Sequence, residues 1–370
     1  MASTAAGRTC GDGICGDAAA PERSRRHGVR AEARRLSAAI AAPGPFVWAS
    51  VLAVLVVDAL WLAAVGIVPA LPGFAATAAV VAALLAAAAY WGRVRSEPSL
   101  RAMALASASL IAFTVPVAVL HYLAATLALP LVDPSLARIE AALGFDWNAY
   151  LAFLIAHPTL SWWLALAYHS SGPQVGLVVI VLGATRRLGR LWTYLRVFCA
   201  ALLVVVVVSA LLPALGPYAH YAPATLPAKH LETVGALWHL EPLARLRSGA
   251  VRTLALADIR ALVTFPSFHV CLAILTAWAL APVRLIGPLA ILLNAAVVIA
   301  TLGAGGHYLP DILAGAILAG VLLVLVRARR AAVPRGAYPL RIAEGRFACG
   351  EHRAMLAADA AGIEAAEARR

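Results

Sequence analysis

The chain has 370 residues, of which 62% are hydrophobic and 13% are charged, and its formal net charge is +12 at pH 7. Apolar runs of about twenty residues recur along it, and each is long enough to cross the roughly 30 Å hydrocarbon layer as a helix. This composition indicates a polytopic membrane protein and excludes an ordinary soluble domain. Because segments of ~10 alternating apolar and polar residues are absent, we expect an all-α bundle and not a barrel.

About eight transmembrane helices are predicted. In chain order they cover residues 46–71, 73–91, 102–130, 160–184, 191–213, 266–282, 284–303 and 308–327. Residues 132–151 lie between the third and fourth spans and mix charged, aromatic and aliphatic residues at near-helical spacing. This pattern predicts an amphipathic helix at the membrane interface.

Arginine clusters in alternate connections predict the orientation of the spans. They comprise Arg23, Arg25, Arg26, Arg30, Arg34 and Arg35; Arg93, Arg95 and Arg101; Arg186, Arg187 and Arg190; Arg284; and Arg327, Arg329 and Arg330. The positive-inside rule then places both termini in the cytoplasm and the long loop 214–264 on the opposite face. The positive charge is explained by this topology and by contact with anionic membrane lipids. We expect no nucleic-acid partner, because no basic binding surface or known motif is present.

The first polar motif within the apolar sequence is the run 305–311, Gly-Gly-His-Tyr-Leu-Pro-Asp. Its His307 and Asp311 are four residues apart at a helix start, so both side chains should lie on one face. The carboxylate can then accept the imidazole N–H and leave the other ring nitrogen as a lone-pair nucleophile. A buried His–Asp bond that only ties down a helix start would have the same spacing. The pair alone leaves both interpretations open.

The second motif is the run 265–269, Phe-Pro-Ser-Phe-His. Pro266 favours the first turn of a helix, and Ser267 offers a hydroxyl and an amide near a helix N-terminus, which attracts anions. His269 would lie within reach of a bound phosphate. A helix cap beside a structural histidine is the alternative. Two histidine-bearing helix starts that open on one non-cytoplasmic face favour chemistry on a phosphate.

Further polar residues, among them Tyr168, His169, Ser170 and Gln174, fall inside the fourth predicted span. Tyr168 and Gln174 are unusual at membrane depth, where polar groups often mark a functional site. Since this span is expected to start on the outer face, both residues lie below its mouth and could line a cavity for a lipid substrate. Hydrogen bonding between helices is the other explanation for such residues.

With both motifs identified, the sequence resembles the type 2 phosphatidic acid phosphatase superfamily over residues 102–328. The similarity is closest to the branch of the inositol phosphorylceramide synthases, also called the aureobasidin-resistance family, and its bacterial relatives. The run 265–269 stands for the Pro-Ser-x-His motif of the family, and the run 305–311 stands for its His-x-x-x-Asp motif. The resemblance implies a six-helix catalytic core.

The resemblance also implies a role for each matching residue. His307 would attack phosphorus to give a phosphohistidine, and Asp311 would orient it. His269 would protonate the departing alkoxide, while Ser267 would help to hold the phosphoryl oxygens. No metal or organic cofactor is implied. These roles agree with the needs of phosphoryl transfer, which are mainly positioning and charge neutralisation.

The sequence departs from the family pattern at its phosphate-binding arginine. The phosphatases carry serine and arginine seven and six residues before the nucleophile, but this chain has Ala300 and Thr301. The Lys-x6-Arg-Pro motif of the family is also absent. Arg245 and Arg252 have that spacing on the outer loop, without a following proline, so we consider them as a substitute phosphate clamp. Solvated loop arginines would have the same appearance.

The sequence therefore predicts an integral membrane enzyme that hydrolyses or transfers the phosphoryl or phospho-head group of a lipid phosphoester. A catalytically inactive lipid transporter or scaffold on the same fold is the alternative. The predicted organisation is an Arg-rich cytoplasmic tail, an extra pair of spans, the six-helix core and a second cytoplasmic tail, at residues 1–45, 46–101, 102–328 and 329–370. We expect the membrane to be a bacterial inner membrane.

Overall fold

The computed structural model describes residues 43–260, 262 and 264–332. Its helices are α1 (Pro45–Val65), α2 (Leu71–Arg93), α3 (Pro98–Ala125), α4 (Asp133–Ala142), α5 (Trp147–Ala156), α6 (Pro158–His169), α7 (Ser171–Ala184), α8 (Leu188–Leu211), α9 (Pro217–Tyr221), α10 (His230–Leu237), α11 (Leu240–Arg247), α12 (Phe268–Leu280), α13 (Ile286–Gly303) and α14 (Leu309–Ala332). Two three-residue strands, β1 (Val68–Ala70) and β2 (Thr253–Ala255), pair in parallel. The all-α prediction is confirmed.

The described chain divides at residue 323. Residues up to Leu323 form one compact unit, and the unit that begins at Val324 is described only through the remainder of α14. The predicted tails, 1–45 and 329–370, lie outside the described residues apart from 43–45 and 329–332.

Six helices are long and apolar enough to cross a membrane, namely α1, α2, α3, α8, α13 and α14 as far as Ala328. Each corresponds to one of the predicted spans. The predicted span 160–184 consists of α6 and α7, which are bent by 49° at their junction. A single helix was predicted over 132–151, but the chain forms α4 and α5 there, at 82° to each other. The described residues thus contain six helices that could each cross a membrane, or up to eight spans if each bent pair is one span.

The bend between α6 and α7 has a local chemical cause. The Ser170 hydroxyl donates to the Ala167 carbonyl at 2.6 Å, and the Ser171 hydroxyl donates to the Tyr168 carbonyl at 2.7 Å. Such side-chain bonds compete with the helical ladder, and Pro173 supplies no amide to it. A helix bends where its ladder is interrupted in this way. Hydropathy alone registers none of this, so it predicted one continuous span.

Helix α12 is shorter than the span predicted at 266–282. It has 13 residues, begins at Phe268 after the Ser267 cap and ends at Leu280. At about 1.5 Å per residue it is roughly 20 Å long, which is less than the hydrocarbon layer. Pro266 was predicted to lie in the first helical turn. In the structure it lies before the Ser267 cap. The predicted span extended two residues beyond the helix at each end.

The two helices at the start of the described chain pack along α3. Helix α2 buries a single residue, Ala88, so nearly its whole surface is available to lipid. By contrast, half of the most apolar stretch of α3 and of α8 is buried inside the protein. Helices α3 and α8 therefore form the interior against which the motif-bearing segments are held.

Candidate active site

The two motifs are joined through the main chain where α12 and α14 begin. The Ser267 amide donates to the Asp311 carbonyl at 3.0 Å. One turn further along α14, Gly315 lies against the same serine, and a Cβ atom on it would be 2.4 Å from the Ser267 carbonyl oxygen. Only a residue without a side chain permits this approach. The structure therefore brings together the two sequence motifs that were predicted to share a site.

His307 and Asp311 form the hydrogen bond that their spacing predicts, although His307 lies in the loop before α14 and not on the helix. The distance from His307 Nδ1 to Asp311 Oδ2 is 3.2 Å, and the same oxygen accepts the Tyr308 amide at 3.0 Å. The other nitrogen, Nε2, is 3.5 Å from Ser267 Oγ. His307, Asp311 and Ser267 are all buried. Because a carboxylate accepts from Nδ1–H, Nε2 is left with its lone pair.

The surroundings of His307 keep its ring neutral. Burial lowers the pKa of His307 to about 4, and a hydrogen bond with the backbone of Thr264 partly opposes this shift. Desolvation disfavours the charged imidazolium, so the ring is unprotonated at pH 7. As the pH falls through about 4, protonation would remove the lone pair. At neutral pH the arrangement therefore presents an uncharged imidazole held by a carboxylate.

His269 lies on the first turn of α12 and faces the same space. The centres of the His269 and His307 rings are 6.5 Å apart, with 63° between the ring planes. Tyr168 Oη is 3.2 Å from His269 Nδ1, and the two rings lie 4.4 Å apart at a 30° tilt. Tyr168 was predicted to line a lipid cavity. The structure places it against His269, where its ring packs on one face of the imidazole and its hydroxyl is within hydrogen-bonding distance of Nδ1.

These motif residues fall within a region that can be compared with known families. Residues 134–325, more than half of the chain, match the model of the PAP2 superfamily. The chain belongs to the PAP2 superfamily. A search of curated proteins and a search of solved structures each gave no match.

In this PAP2 protein Ala300 and Thr301, seven and six residues before His307, carry no charge into the site. Thr301 is buried, and its hydroxyl donates to the Val297 carbonyl at 2.7 Å. Ala300 packs in a small apolar cluster with Tyr168 and Ala304. The residue that replaces the phosphatase arginine is thus satisfied within its own helix. Neutralisation of a bound phosphate must come from other groups.

Arg245 and Arg252 lie on the outer loop, at α11 and just before β2, and both are exposed. Arg252 lines a cleft with Arg247, Val65 and other residues that belong to neither motif. Among the described residues, neither Arg245 nor Arg252 forms a hydrogen bond or ion pair with a motif residue. Within residues 43–260, 262 and 264–332, no group of three or more His, Cys, Asp or Glu side chains could hold a metal ion. The predicted arginine clamp stays a prediction.

Gln174 is buried and links two helices. Its Oε1 accepts from Asn294 Nδ2 at 2.7 Å, and its Nε2 donates to Ser170 Oγ at 2.9 Å. The bond with Asn294 joins α7 to α13. This agrees with the alternative that Gln174 serves hydrogen bonding between helices. The structure shows no contact between Gln174 and the motif histidines.

Sequence reasoning missed two buried carboxylates, Asp133 and Glu140, which contact the loop that carries His307. Asp133 accepts from the Tyr308 hydroxyl at 3.1 Å, and Glu140 accepts from the Leu309 amide at 2.7 Å. The segment 132–151 was predicted to be an amphipathic helix at the membrane interface, and its acidic residues were given no role in the site. Their separation of seven residues, two helical turns, was the available signal, since it places both acids on one face.

Proposed function

We propose that this PAP2-superfamily protein is a membrane enzyme that hydrolyses or transfers the phosphoryl or phospho-head group of a lipid phosphoester. The observation that carries the proposal is the placement of His307 between Asp311 and Ser267, with the His269 ring 6.5 Å away. Membership of the superfamily supports a phosphatase or phosphotransferase acting on this substrate class. Helices long enough to cross a membrane support access to a lipid.

In the first step, His307 Nε2 attacks phosphorus and the bond to the lipid oxygen breaks. The departing alkoxide takes a proton from His269, and the product is a lipid alcohol. A reacting atom needs to stand ~3–3.5 Å from phosphorus, and a general acid ~3 Å from the leaving oxygen. A ring separation of 6.5 Å is on the scale that allows one phosphoryl group between the two histidines.

In the second step, water or an alcohol attacks the phosphohistidine. His269 takes the proton from the attacking oxygen, and the N–P bond breaks to regenerate neutral His307. While phosphorylated, the His307 ring is cationic and retains its Nδ1–H. The bond from Nδ1 to Asp311 then becomes a charge-assisted hydrogen bond, which stabilises the intermediate relative to the resting state.

The start of α12 is the site that we propose for the phosphoryl oxygens. The first amides of a helix lack intrahelical partners and carry partial positive charge, so they attract anions. The start of α14 is less suitable, because the carboxylates of Asp311 and Glu140 already accept its amides. Ser267 and the first turn of α12 would therefore supply the electrostatic stabilisation that arginine supplies in the phosphatases.

The proposal also concerns the acceptor of the phosphoryl group, which is either water or a hydroxyl compound. Thr301 stands at the position of the phosphatase arginine, a departure shared with the inositol phosphorylceramide synthase branch. We therefore propose transfer to a hydroxyl acceptor in preference to water. The experiment is to incubate the purified protein with lipid phosphates and phospholipids, with and without hydroxyl acceptors. Release of inorganic phosphate without an acceptor would favour hydrolysis, and turnover that depends on an acceptor would favour transfer.

His269→Ala is expected to slow lipid substrates far more than aryl phosphates. An alkoxide is a poor leaving group that needs a proton as it departs, whereas an activated aryloxide leaves without one. General acid catalysis contributes about 10²–10⁴-fold, so we expect a loss of that order on a lipid phosphate and under ~10-fold on the aryl compound. Rates on both substrates give the measurement. Equal losses would assign His269 a purely structural role.

We also propose that the motif residues face the non-cytoplasmic side. Ala222 and Gly189 are both exposed, and they lie on the loop 214–264 and at the arginine-rich start of α8, respectively. In a variant with the five native cysteines replaced by alanine, an impermeant maleimide should label Ala222→Cys in intact cells. It should label Gly189→Cys only after the membrane is opened. Labelling of both from outside would contradict this orientation.

A further inference from the structure

Helix α4 presents two buried carboxylates on one face. The side chains of Asp133 and Glu140 are seven residues apart, which is two helical turns, and they are 4% and 1% exposed. Burying a carboxylate costs several kcal/mol unless hydrogen bonds replace its hydration. The groups that donate these bonds therefore indicate what the two acids hold in place.

Asp133 accepts bonds from two segments that are remote in sequence. Its carboxylate accepts the Leu215 amide at 3.0 Å and the Gly216 amide at 2.8 Å, which lie in the turn after α8. It also accepts the Tyr308 hydroxyl at 3.1 Å. Tyr308 directly follows His307 in the chain. A single carboxylate thus connects the turn at 215–216 to the loop that carries the proposed nucleophile.

Glu140 holds the next residue of the same loop. Its Oε2 accepts the Leu309 amide at 2.7 Å, and its Oε1 lies 3.4 Å from the Tyr221 hydroxyl. Leu309 is the first residue of α14, where backbone amides have no partner within the helix. Glu140 therefore caps α14 from a different helix and places a negative charge at its positive end.

On the other side of His307, Gly306 contacts the turn that Asp133 binds. Gly216 has a φ of 95°, and a Cβ atom on it would lie 2.7 Å from the Gly306 carbonyl oxygen. The turn and the catalytic loop are therefore in direct backbone contact. Three residues close to His307 in the chain, Gly306, Tyr308 and Leu309, are fixed by this arrangement, the first through packing and the other two through carboxylates on α4.

We propose that Asp133 and Glu140 are positioning residues for the reaction, acting through the backbone on both sides of the His307 ring. They set the loop so that Nε2 points at the phosphoryl site, and neither contacts the substrate. The inference rests on the proposed function. Its physical basis is that a misplacement of ~1 Å in a reacting group can lower the rate about 10²-fold.

Two conservative variants test the contribution of Asp133. Tyr308→Phe removes one hydroxyl, and Asp133→Asn keeps the shape of the side chain but weakens its acceptor strength. We expect kcat to fall about tenfold in Tyr308→Phe and about 10²-fold in Asp133→Asn, with KM changed less than about threefold. The double variant should be little slower than Asp133→Asn, because both changes act on the same hydrogen bond. Asp258→Asn, at an exposed aspartate, is the matched control.

A measurement without turnover tests Glu140. In Glu140→Gln, amide hydrogen exchange in a peptide spanning 305–311 should be about tenfold faster, because the charge-assisted bond to the Leu309 amide is weakened. Glu241→Gln, at an exposed glutamate, should leave this exchange unchanged. Unchanged exchange in Glu140→Gln would overturn the inference for Glu140, whether or not a substrate has been found.

The outcomes separate this inference from the proposed function. If the parent protein turns over and the three single variants retain its kcat, the positioning inference is wrong and the function stands. If the parent protein turns over no lipid phosphoester, the function fails, and the exchange measurement still decides whether α4 holds the loop. If Asp133→Asn does not fold, Tyr308→Phe carries the kinetic test, because it removes only one oxygen atom.

Discussion

Replacement of His307 by alanine should lower turnover of a lipid phosphoester by on the order of 10⁴-fold or more. The residue is proposed to form a covalent bond to phosphorus, and removal of a nucleophile leaves only binding and electrostatic stabilisation. The measurement is kcat for the purified parent and variant on one lipid phosphate. Brief reaction with a substrate labelled on phosphorus, followed by alkaline quenching, should trap a phosphohistidine in the parent and none in the variant.

The control for this prediction is His230→Ala, which removes an exposed histidine at the start of α10. It should keep both the activity and the trapped label. An active His307→Ala protein would refute the mechanism. Absence of turnover in the parent on every lipid phosphoester tested would instead support the alternative of an inactive transporter or scaffold.

Asp311→Asn should lower kcat by about 10²–10⁴-fold while the protein still folds. Asparagine is close to aspartate in size and can accept the Tyr308 amide and the His307 Nδ1–H, so the geometry is largely kept. It carries no negative charge, however, and cannot stabilise the cationic phosphohistidine ring. An amide can also donate to Nδ1 and so select the wrong tautomer, an effect of this size in other His–Asp pairs.

The test for Asp311 compares the rate of phosphohistidine formation with the rate of its breakdown. We expect the slower formation to account for most of the loss, because the charged ring appears in that step. Asp311→Ala, which also removes the acceptor for the Tyr308 amide, should be at least as slow and less stable to heat. Activity within about threefold of the parent in Asp311→Asn would show that the carboxylate only caps α14.

The pairings that could be predicted from the sequence are those between close neighbours in the chain. His307 and Asp311 are four residues apart, and Ser267 and His269 are two apart, so their closeness in the chain brings the members of each pair near one another. That the two motifs meet was inferred from the alternation of spans across a membrane. The shared end of α12 and α14 agrees with that inference.

The contacts that could not be predicted join residues far apart in sequence. Tyr168 and His269 are 101 residues apart, and Asp133 and Tyr308 are 175 apart. Neither hydropathy nor periodicity contains information on which side chains meet across such distances. The same limit explains why Asp133 and Glu140 were given no role from the sequence. A charged residue reveals its burial only through its partners, and here these are mainly backbone amides and tyrosine hydroxyls.

The main-chain bond from Ser267 to Asp311, with Gly315 packed against the same serine, ties the start of α12 to the start of α14. We expect a shift of α14 to carry the start of α12, and with it His269. We therefore expect the distance between the His269 and His307 rings to change little when the helices move. Accommodation of lipids that differ in bulk must come from the surrounding helices, among them the bent pair that carries Tyr168.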